Sequence, residues 1–322
     1  MPDSRGAAEA LSASVDVIIP VYNGERYIRQ ALASVLSQDH APNRIIVVDD
    51  GSTDATAELV QGYASPIPIQ HLYQANRGPN AARNTGIAKS TSEYLAFLDA
   101  DDEWFPEKLS RQLRVFQAGE LKDLAAVYSH YAIIDESGAV CEDAYLVPLD
   151  PANRGRIFDR LLPGNLITGS ASGILIRREC LDRVGEFDES LRGCEDWDMW
   201  LRLAQRYQFD YVAEKLVKIR SHDGNAQLDS NLMFKNTLLF YNKWSSSARK
   251  FGHHGAWSNT VVCRIAEDLP DLESLRQAGQ LLTRAAKRDL FGCAVGSLWL
   301  FLLFNAPKIL IITAKRVLRW EG

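Results

Sequence analysis

The sequence predicts an α/β protein whose core is a mostly parallel β-sheet flanked by helices. Strand-like and helix-like segments alternate through the first half of the chain, which is typical of a parallel sheet covered on both faces. The strand-like segments are short and almost wholly apolar, as buried strands are. Acidic clusters follow two of them, and sheets of this class bind ligands at the carboxyl ends of their strands.

Composition narrows the functional class. The chain has 322 residues, with 36 Lys and Arg against 41 Asp and Glu, so the net charge is −5. Apolar residues make up 46% and charged residues 24%, which excludes wholesale disorder. A mildly acidic chain argues against a nucleic-acid partner, since such binders carry a basic excess. Five cysteines without a CxxC motif favour a reducing compartment over a disulfide framework.

The first half contains the clearest elements. We predict strands over 15–20 (VDVIIP), 44–49 (RIIVVD), 66–73 and 94–99 (YLAFLD). Between and after them we predict helices over 24–38, from Thr53 or Asp54 to 64, over 81–89 and over 106–117. The last of these has Pro106 in its first turn, where the missing N–H is harmless.

The second half is less regular, and its domain boundaries are softer. We predict strands over 172–177 and 211–219, an amphipathic helix over 195–207, and helical structure from about 231. Residues 1–14 are small and polar without a basic and then apolar signal segment, so we interpret them as a disordered lead. The predicted organisation is therefore a lead at 1–14, an α/β domain at 15–225 and a C-terminal helical region at 226–322.

The acidic motif Asp99-Ala100-Asp101 follows the YLAFL strand directly. Two carboxylates in a loop can grip a divalent cation with hard oxygen ligands, as Mg²⁺ requires. Asp102 and Glu103 place four carboxylates within five residues, a density that would be strongly repulsive without a cation. We therefore predict a Mn²⁺ or Mg²⁺ site at Asp99 and Asp101; the alternative is a solvated acidic turn that caps the next helix.

A nucleoside site is predicted beside the first two strands. Asp50 and Gly51 follow the second strand, where glycine allows a sharp turn and close approach of a ligand. A carboxylate there can accept hydrogen bonds from a ribose or from a base imide. The segment from Pro20 to Tyr22 follows the first strand and offers an aromatic face to a base. The alternative for Asp50 is a helix-capping turn.

Two arginines are candidate phosphate ligands. Arg77 and Arg83 lie in the basic, small-residue segment 76–84 (NRGPNAARN). The guanidinium group binds phosphate oxygens in a bidentate manner. The alternative is that they are ordinary surface arginines that pair with nearby carboxylates.

Two further candidates lie in the second half. Asp196 opens the predicted helix at 195, where the helix dipole favours the ionised carboxylate, so it can act as a base. Trp197 and Trp200 can form a sugar platform, although core packing is the commoner role. His222 follows a strand and can ligate the cation or contact a phosphate; its alternative is a structural role.

The C-terminal segment carries a possible membrane signal. Residues 290–306 contain no charge, Pro307 follows, and residues 308–319 hold four cations. The length is at the lower limit of the roughly 17 to 25 residues of a spanning helix, and an apolar stretch with a basic end suits an interfacial helix on an anionic leaflet. A buried helical hairpin and a true span are the alternatives.

Taken together, these motifs resemble those of family 2 glycosyltransferases with the GT-A fold. The resemblance covers roughly residues 15–225. The motifs that carry it occur in the family's order: VDVIIPVYNGERYIRQALASVLSQ, IIVVDDGSTDAT, NRGPNAARNTGI, EYLAFLDADDEW, GSASGILIRR and EDWDMWLRL.

The resemblance implies an inverting transfer of a sugar from a nucleoside diphosphate sugar, with UDP as the expected nucleotide, to a hydroxyl acceptor. It assigns the nucleoside base to Tyr22 and Asp50 and the metal to the DxD carboxylates. It places Arg83 in the segment that lines the nucleotide pocket. It makes Asp196 the base that deprotonates the acceptor, and His222 a contact of the metal or diphosphate.

The expected setting is the cytoplasmic face of a membrane, with peripheral attachment through the C-terminal segment. The expected acceptor is a lipid-linked glycan or a nascent cell-surface polysaccharide. Two alternatives stay open. A nucleotidyltransferase that makes activated sugars would normally carry a Gly-rich basic loop after the first strand, where this chain has PVYNGERY. A non-catalytic, membrane-docked protein that binds sugar nucleotides is the other.

Overall fold

The computed structural model describes residues 13–141, 150–167, 170–223 and 230–253. Over these residues the chain forms a mixed α/β structure around a single eight-stranded sheet. In chain order the strands are β1 (Val15–Val21), β2 (Arg44–Asp49), β3 (Ile69–Tyr73), β4 (Tyr94–Phe97), β5 (Glu103–Trp104), β6 (Leu124–Ile134), β7 (Ile174–Arg177) and β8 (Gln208–Arg220). The predicted α/β class is confirmed.

The strand order across the sheet is β3-β2-β1-β4-β7-β6-β8-β5. The pairs β3–β2, β2–β1 and β1–β4 are parallel, and so is β6–β8. Strand β7 is antiparallel to both β4 and β6, and β5 is antiparallel to β8. The carboxyl ends of β1, β2 and β4 therefore meet at one edge of the sheet, the edge where the sequence places its acidic clusters.

The apolar runs form the centre of this sheet. Every residue of β1 and of β4 is buried, and β2 is buried from its second residue onward. Helix α3 approaches β1 so closely that a Cβ atom at Gly86 would collide with the side chain of Ile18. Close packing of α3 matters for function because the helix carries Arg83.

The described helices are α1 (Ile28–Leu36), α2 (Thr56–Gln61), α3 (Pro79–Lys89), α4 (Lys108–Ala118), α5 (Phe158–Leu161), α6 (Arg178–Val184), α7 (Glu195–Ala204) and α8 (Ser230–Lys250). Helix α1 begins four residues later than predicted because the segment before it bonds to the loop after β2. The N–H groups of Gly24 and Glu25 donate to the side chains of Thr56 and Asp54.

Helix α4 also begins later than the predicted residue 106. The carbonyl oxygen of Pro106 accepts from the N–H of Asp39, and that of Phe105 accepts from the side chain of Gln38. These bonds hold the two residues in a turn before the helix, which the N–H of Lys108 closes by donating to the carbonyl oxygen of Phe105. Pro106 therefore precedes α4 rather than lying within its first turn.

No element is predicted for residues 124–134, yet the structure has its second-longest strand, β6, there. The run LAAVYSHYAII is largely apolar, so the signal was present. His130 and Ser129 interrupt the apolar pattern, and the pairing with β8 shifts register at these two residues. Helix α6 and the two-residue strand β5 are likewise not predicted.

The described residues fall into two compact units. The first holds those within Met1–Ile157, Ile167–Glu189 and Arg202–His222, including the entire sheet. The second holds those within Phe158–Leu166, Ser190–Leu201 and Asp223–Gly322. The predicted domain boundary near 225 stays a prediction.

Aromatic side chains form the core of the second unit. Trp197 packs its ring 4.6 Å from that of Phe240, and its indole N–H donates to the carbonyl of Leu161. Trp200 is fully buried. Asp198, also buried, accepts from the indole of Trp244 and pairs with Lys243. Both tryptophans of the EDWDMW motif are therefore core residues, and a sugar platform built on them is wrong.

Within the described part of the chain, no helix has the length and apolar character needed to cross a bilayer. Residues 1–12 of the predicted lead at 1–14, and the apolar segment at 290–306, lie outside the described residues.

Candidate active site

The DxD loop leaves β4 and turns back at the carboxyl edge of the sheet. Its start is fixed by Ser172, whose Oγ accepts from the N–H of Asp99 at 3.0 Å and donates to Asp102 Oδ2 at 2.7 Å. Asp102 is buried, and its other oxygen accepts from the N–H of Arg220. Burial, followed by the charges of Asp101 and Asp99, raises the pKa of Asp102 well above its usual value. Asp102 thus anchors the loop from within, while Asp99 and Asp101 are left partly exposed.

Arg83 contacts the first carboxylate of the motif. Its Nη2 donates to Asp99 Oδ1 at 2.8 Å and its Nη1 donates to Asn80 Oδ1 at 3.1 Å. The guanidinium carbon lies 5.5 Å from the centroid of the Phe187 ring. The arginine side chain is 4% exposed. Arg83 is therefore a cation that pairs with the carboxylate of Asp99, as the alternative to a phosphate ligand proposed. It is buried, however, and not a surface arginine.

Asp101 and His222 meet across the loop. The imidazole Nε2 lies 2.9 Å from Asp101 Oδ2, although the residues are 121 positions apart. Burial, then the charge of Asp99, raises the pKa of Asp101, while the contact with His222 opposes that rise. Each carboxylate of the predicted metal site therefore has its own partner. Asp99 pairs with Arg83, and Asp101 pairs with His222, the third predicted metal ligand.

The chemistry of these donors fits a divalent cation. The two carboxylates are neighbours in the loop, and after burial the negative charge of Asp99 is the next cause of the raised pKa of Asp101. Hard oxygen ligands of this kind suit Mg²⁺ or Mn²⁺. Among the described residues no three Asp, Glu, His or Cys side chains are grouped closely enough to hold a metal ion by themselves.

Asp50 organises the loop that leads into α3. Its Oδ1 accepts from the side chain of Gln74 at 2.7 Å and from the N–H of Arg77 at 2.9 Å, and its Oδ2 accepts from the N–H of Gly78 at 2.7 Å. The carboxylate is buried. Asp50 therefore fixes the backbone of the 74–78 segment, which frames the predicted nucleoside site.

The other predicted nucleoside contacts lie beside this segment. Pro20 is buried within β1, and Tyr22, just beyond the strand, is 54% exposed. The neighbouring Asn23 holds the two loops together: its N–H donates to Ser52 Oγ and its Oδ1 accepts from the N–H of Thr53. Gly51 has φ +84°, and a Cβ atom there would lie 2.9 Å from the N atom of Asn76. Only glycine at position 51 allows the loop after β2 to approach the 74–78 segment so closely.

Arg77 differs from Arg83 in its exposure. Its side chain is 60% exposed and its Nη2 donates to Glu189 Oε2 at 2.7 Å. Glu189 also accepts from the amide of Asn84 at 3.2 Å. Arg77 thus lies on the outer side of the site, where a screened surface pair can be exchanged for a ligand at small cost.

Asp196 lies in the second unit, in the first turn of α7 with Glu195 and Asp198. It is partly buried. Three carboxylates therefore lie in the turn that carries the positive end of the helix dipole. Of the three, Asp198 is buried against Trp244 and Lys243.

Two features of the site are not predicted from sequence. One is Arg220, whose guanidinium contacts the DxD loop; a buried arginine between an acidic loop and a histidine could have been suspected from its position in RSHDG. The other is the pair of Asp49 and His71, whose facing Oδ2 and Nε2 atoms are buried 3.6 Å apart. His71 belongs to β3, and nothing in the local sequence signals this contact.

A family model described as glycosyl transferase family 2 matches residues 16–185. The matched region contains β1 to β7, the Asp50 loop, Arg83 and the DxD loop. The chain belongs to glycosyl transferase family 2.

Several curated relatives agree with the family membership. An uncharacterized glycosyltransferase of Rickettsia typhi is 34% identical over 215 residues, which cover 66% of this chain and 65% of the relative. One from Rickettsia bellii is 33% identical over 66% of this chain, which spans only 29% of that relative's length. The putative teichuronic acid biosynthesis glycosyltransferase TuaG of Bacillus subtilis is 31% identical over 60% of this chain and 72% of its own.

A solved structure shares the fold. Residues 1–349 of S. aureus TarS, solved in complex with UDP-GlcNAc, superpose with a TM-score of 0.54 at 20% identity. The superposition covers 80% of this chain and 82% of that one. The fold is therefore GT-A, as the sequence motifs predict.

Proposed function

We propose that this family 2 glycosyltransferase transfers a sugar from a nucleoside diphosphate sugar to a hydroxyl acceptor, with inversion at the anomeric carbon. The observation that carries the proposal is the contact of the acidic loop with Arg83 and His222, at the edge of the sheet where the Asp50 loop also follows its strand. This supports the proposal because the predicted base-binding segment, a buried cation and two partly exposed carboxylates all lie near the carboxyl ends of parallel strands, where such sheets bind ligands.

The donor is proposed to be a UDP-sugar. The exposed ring of Tyr22 offers a stacking surface for a base, and the backbone framed by Asp50 supplies polar groups beside it. The structural neighbour TarS was solved with UDP-GlcNAc, which supports the nucleotide without naming the sugar for this chain. Arg77 is the accessible cation that can exchange Glu189 for a diphosphate oxygen.

Asp99 and Asp101, with His222 against Asp101, would contribute ligands to Mn²⁺ or Mg²⁺, which in proteins usually completes its coordination with water and substrate phosphates. The cation would neutralise the charge that grows on the leaving diphosphate. Arg83 contributes positive charge at the carboxylate of Asp99 from its buried position. The chain's own contribution is thus a loop fixed by Ser172 and Asp102, so that the two metal-binding carboxylates need little reorganisation.

Asp196 is proposed as the base. Its place in the first turn of α7 puts it at the positive end of the helix dipole, which suits a carboxylate that takes the proton of the acceptor hydroxyl. The acceptor oxygen then forms the new glycosidic bond as the bond to the diphosphate breaks. A single displacement assisted by one base inverts the anomeric carbon, so no covalent sugar intermediate on a cysteine or serine is required.

The acceptor is proposed to be a lipid-linked glycan or a growing cell-surface polysaccharide, at the cytoplasmic face of a membrane. The relative TuaG carries the name of a putative teichuronic acid biosynthesis enzyme, which supports a surface polysaccharide. The charge-free segment 290–306 and the cations that follow it support peripheral membrane attachment.

Nucleotide release tests the proposal. Purified full-length protein is incubated with UDP-, GDP- and dTDP-sugars in Mn²⁺, Mg²⁺ or EDTA, with and without membranes as a source of acceptor. We expect metal-dependent release from one donor, reduced about a hundredfold in Asp101→Asn. Asp182→Asn is the matched control, since this exposed carboxylate on α6 lies outside the site. Absence of release from every donor, with membranes present, would reject the transferase.

A further inference from the structure

Arg220 ends strand β8 two residues before His222, and its side chain is 2% exposed. We propose that Arg220 is a positioning residue that fixes the backbone of the DxD loop and thereby presents Asp101 to His222 and to the cation. The inference rests on the proposed function for its role in catalysis. Its structural part, the fixing of the loop, can be measured separately.

Arg220 contacts three consecutive residues of the acidic loop. Its Nε donates to the carbonyl oxygen of Asp101 at 2.9 Å, and its backbone N–H donates to Asp102 Oδ1 at 3.1 Å. Its Nη2 donates to Glu103 Oε1 at 2.5 Å. Arg220 therefore holds the loop at three groups: the main-chain carbonyl of Asp101, the buried carboxylate of Asp102 and the partly exposed carboxylate of Glu103.

The other side of the same guanidinium reaches a second loop. Nη1 donates to the carbonyl oxygens of Asp135 and Glu136 at 3.0 and 3.3 Å, in the turn that follows β6. The guanidinium carbon lies 4.6 Å from the centroid of the Tyr27 ring, and that centroid lies 5.4 Å from the centroid of the His222 ring. Arg220 thus joins the acidic loop, the 135–136 turn and the aromatic support of His222.

These contacts use the fork geometry of arginine. A guanidinium offers five N–H donors in one plane and stacks on aromatic rings, whereas a lysine ammonium is a compact charge on a flexible stem. Lysine at this position would keep the positive charge but could not serve the Asp101 carbonyl, Glu103 and the 135–136 turn together. Exchange of arginine for lysine therefore separates positioning from charge.

Position matters at this loop because the proposed ligands are few. The carboxylate of Asp101 meets His222 through one contact of 2.9 Å, and Arg220 holds both partners: Asp101 by its carbonyl and His222 by the strand end. Misplacement of a reacting group by about 1 Å can cost about a hundredfold in rate. Groups that orient metal ligands typically change metal affinity or activity about tenfold or more when altered.

The experiment compares Arg220→Lys with Lys218→Met. Lys218 is the matched control because it lies on the same strand and its Nζ donates to the same Glu103 at 3.1 Å, without contact to the DxD backbone. The first readout is hydrogen–deuterium exchange of the peptide that contains residues 98–105. We expect faster exchange in Arg220→Lys and wild-type exchange in Lys218→Met. Equal exchange in wild type and Arg220→Lys overturns the inference, whatever the activity.

The second readout is the Mn²⁺ dependence of UDP release from the active donor. Arg220→Lys is expected to raise the half-saturating Mn²⁺ concentration about tenfold, while Lys218→Met stays within about twofold of wild type. A loss of folded protein would lower the maximal rate and leave half-saturation unchanged, and that result also contradicts the inference. If the wild type releases no nucleotide, the proposed function fails, and the exchange result still decides the positioning role.

Should Arg220→Lys fail to fold, Glu103→Gln provides the second variant. It keeps an acceptor for Nη2 but removes the charge that aligns the guanidinium. The same faster exchange over 98–105 is expected, with a smaller amplitude. Unchanged exchange in this variant, together with an unfolded Arg220→Lys, would make Arg220 a general core residue and reject a specific role at the loop.

Discussion

Arg83 and Asp99 form an ion pair with an Nη2–Oδ1 distance of 2.8 Å, in which the arginine side chain is 4% exposed. The pair joins helix α3 to the first carboxylate of the DxD loop. Arg83 is therefore not poised in solvent to capture a diphosphate. It sets the charge and the position of a carboxylate, and through it the electrostatic balance of the site.

Removal of Arg83 should cost both stability and donor binding. Arg83→Met leaves Asp99 beside Asp101 without its cation. Loss of one partner of a fully buried pair costs about 3 kcal/mol, and because the Asp99 side chain is 25% exposed we expect roughly 1 to 3 kcal/mol here. Arg111→Met is the control, because its 3.5 Å pair with Glu214 is exposed on both sides and should contribute less than about 1 kcal/mol. Urea denaturation of both variants gives the comparison. Equal, small effects would show that the buried pair contributes no more than the surface pair.

Asp196→Asn should separate binding from catalysis. We expect kcat to fall by about a hundredfold or more, the range for loss of a general base, while the calorimetric Kd for donor with Mn²⁺ stays unchanged. Glu195→Gln, the adjacent carboxylate in the same helical turn, serves as the control and should keep most of its activity. Full activity in Asp196→Asn would remove this residue from the base role.

Deletion of residues 288–322 should move the protein from the membrane fraction to the soluble fraction. The physical reason is loss of the apolar segment together with the cations that follow it, two signals that act jointly at an anionic leaflet. Fractionation of cells that express the full chain or the truncated chain measures this directly. Unchanged membrane association would reject the attachment, and aggregation of the truncated chain would indicate a buried hairpin instead.

Lys108 should make stability depend on pH in the alkaline range. Its Nζ is fully buried, 2.9 Å from Gln112 Oε1 and 4.1 Å from the centroid of the Trp104 ring. Burial lowers the pKa of Lys108 well below its usual value. In the window between the lowered pKa and the unfolded value of 10.5, the unfolded chain binds a proton that the folded chain does not. The wild type therefore becomes more stable as pH rises through this window.

The matched variant is Lys108→Met, which lacks the titrating group. From pH 7 to 10, the unfolding free energy of wild type relative to Lys108→Met should rise by up to about 1.4 kcal/mol per pH unit. Denaturation curves at several pH values measure the difference. A difference that stays constant with pH would mean that the ammonium remains charged inside the fold.

Cys180 and Cys141 should differ sharply in reactivity. Burial raises the pKa of the Cys180 thiol to about 11, so almost no thiolate is present at pH 8, whereas Cys141 is exposed. Iodoacetamide labelling of the native protein followed by peptide mass spectrometry should modify Cys141 first. Labelling of both at the same rate would show that α6 opens on the timescale of the reaction.

The α/β class could be predicted because its evidence is local. Buried strands are predicted by the runs VDVIIP, RIIVVD and YLAFLD, and all three are present as β1, β2 and β4. Strand order and direction could not be predicted. Nothing in SGILIR indicates that β7 runs antiparallel between β4 and β6, since direction is set by how the chain crosses the sheet.

The site residues that directly follow a strand could be predicted from the sequence. Their contact partners, which are distant in the sequence, could not. Asp99, Asp101 and Asp50 follow strands whose carboxyl ends meet, so their proximity follows from the fold. The partners of these carboxylates do not: Ser172 lies 70 positions from Asp102, and Arg220 lies 119 positions from Asp101. Such contacts depend on tertiary packing, which single-sequence patterns do not encode.

The insertion of β7 between β4 and β6 has a consequence for synthesis on the ribosome. Residues 15–134 supply six of the eight strands, yet neither β4 nor β6 can complete its pairing until β7 at 174–177 and β8 at 208–220 have emerged. The nascent chain therefore exposes two open strand edges for at least seventy residues of elongation, and such edges invite pairing with other chains. Expression yield should improve when translation of this interval is accelerated, or when a chaperone that shields extended segments is supplied.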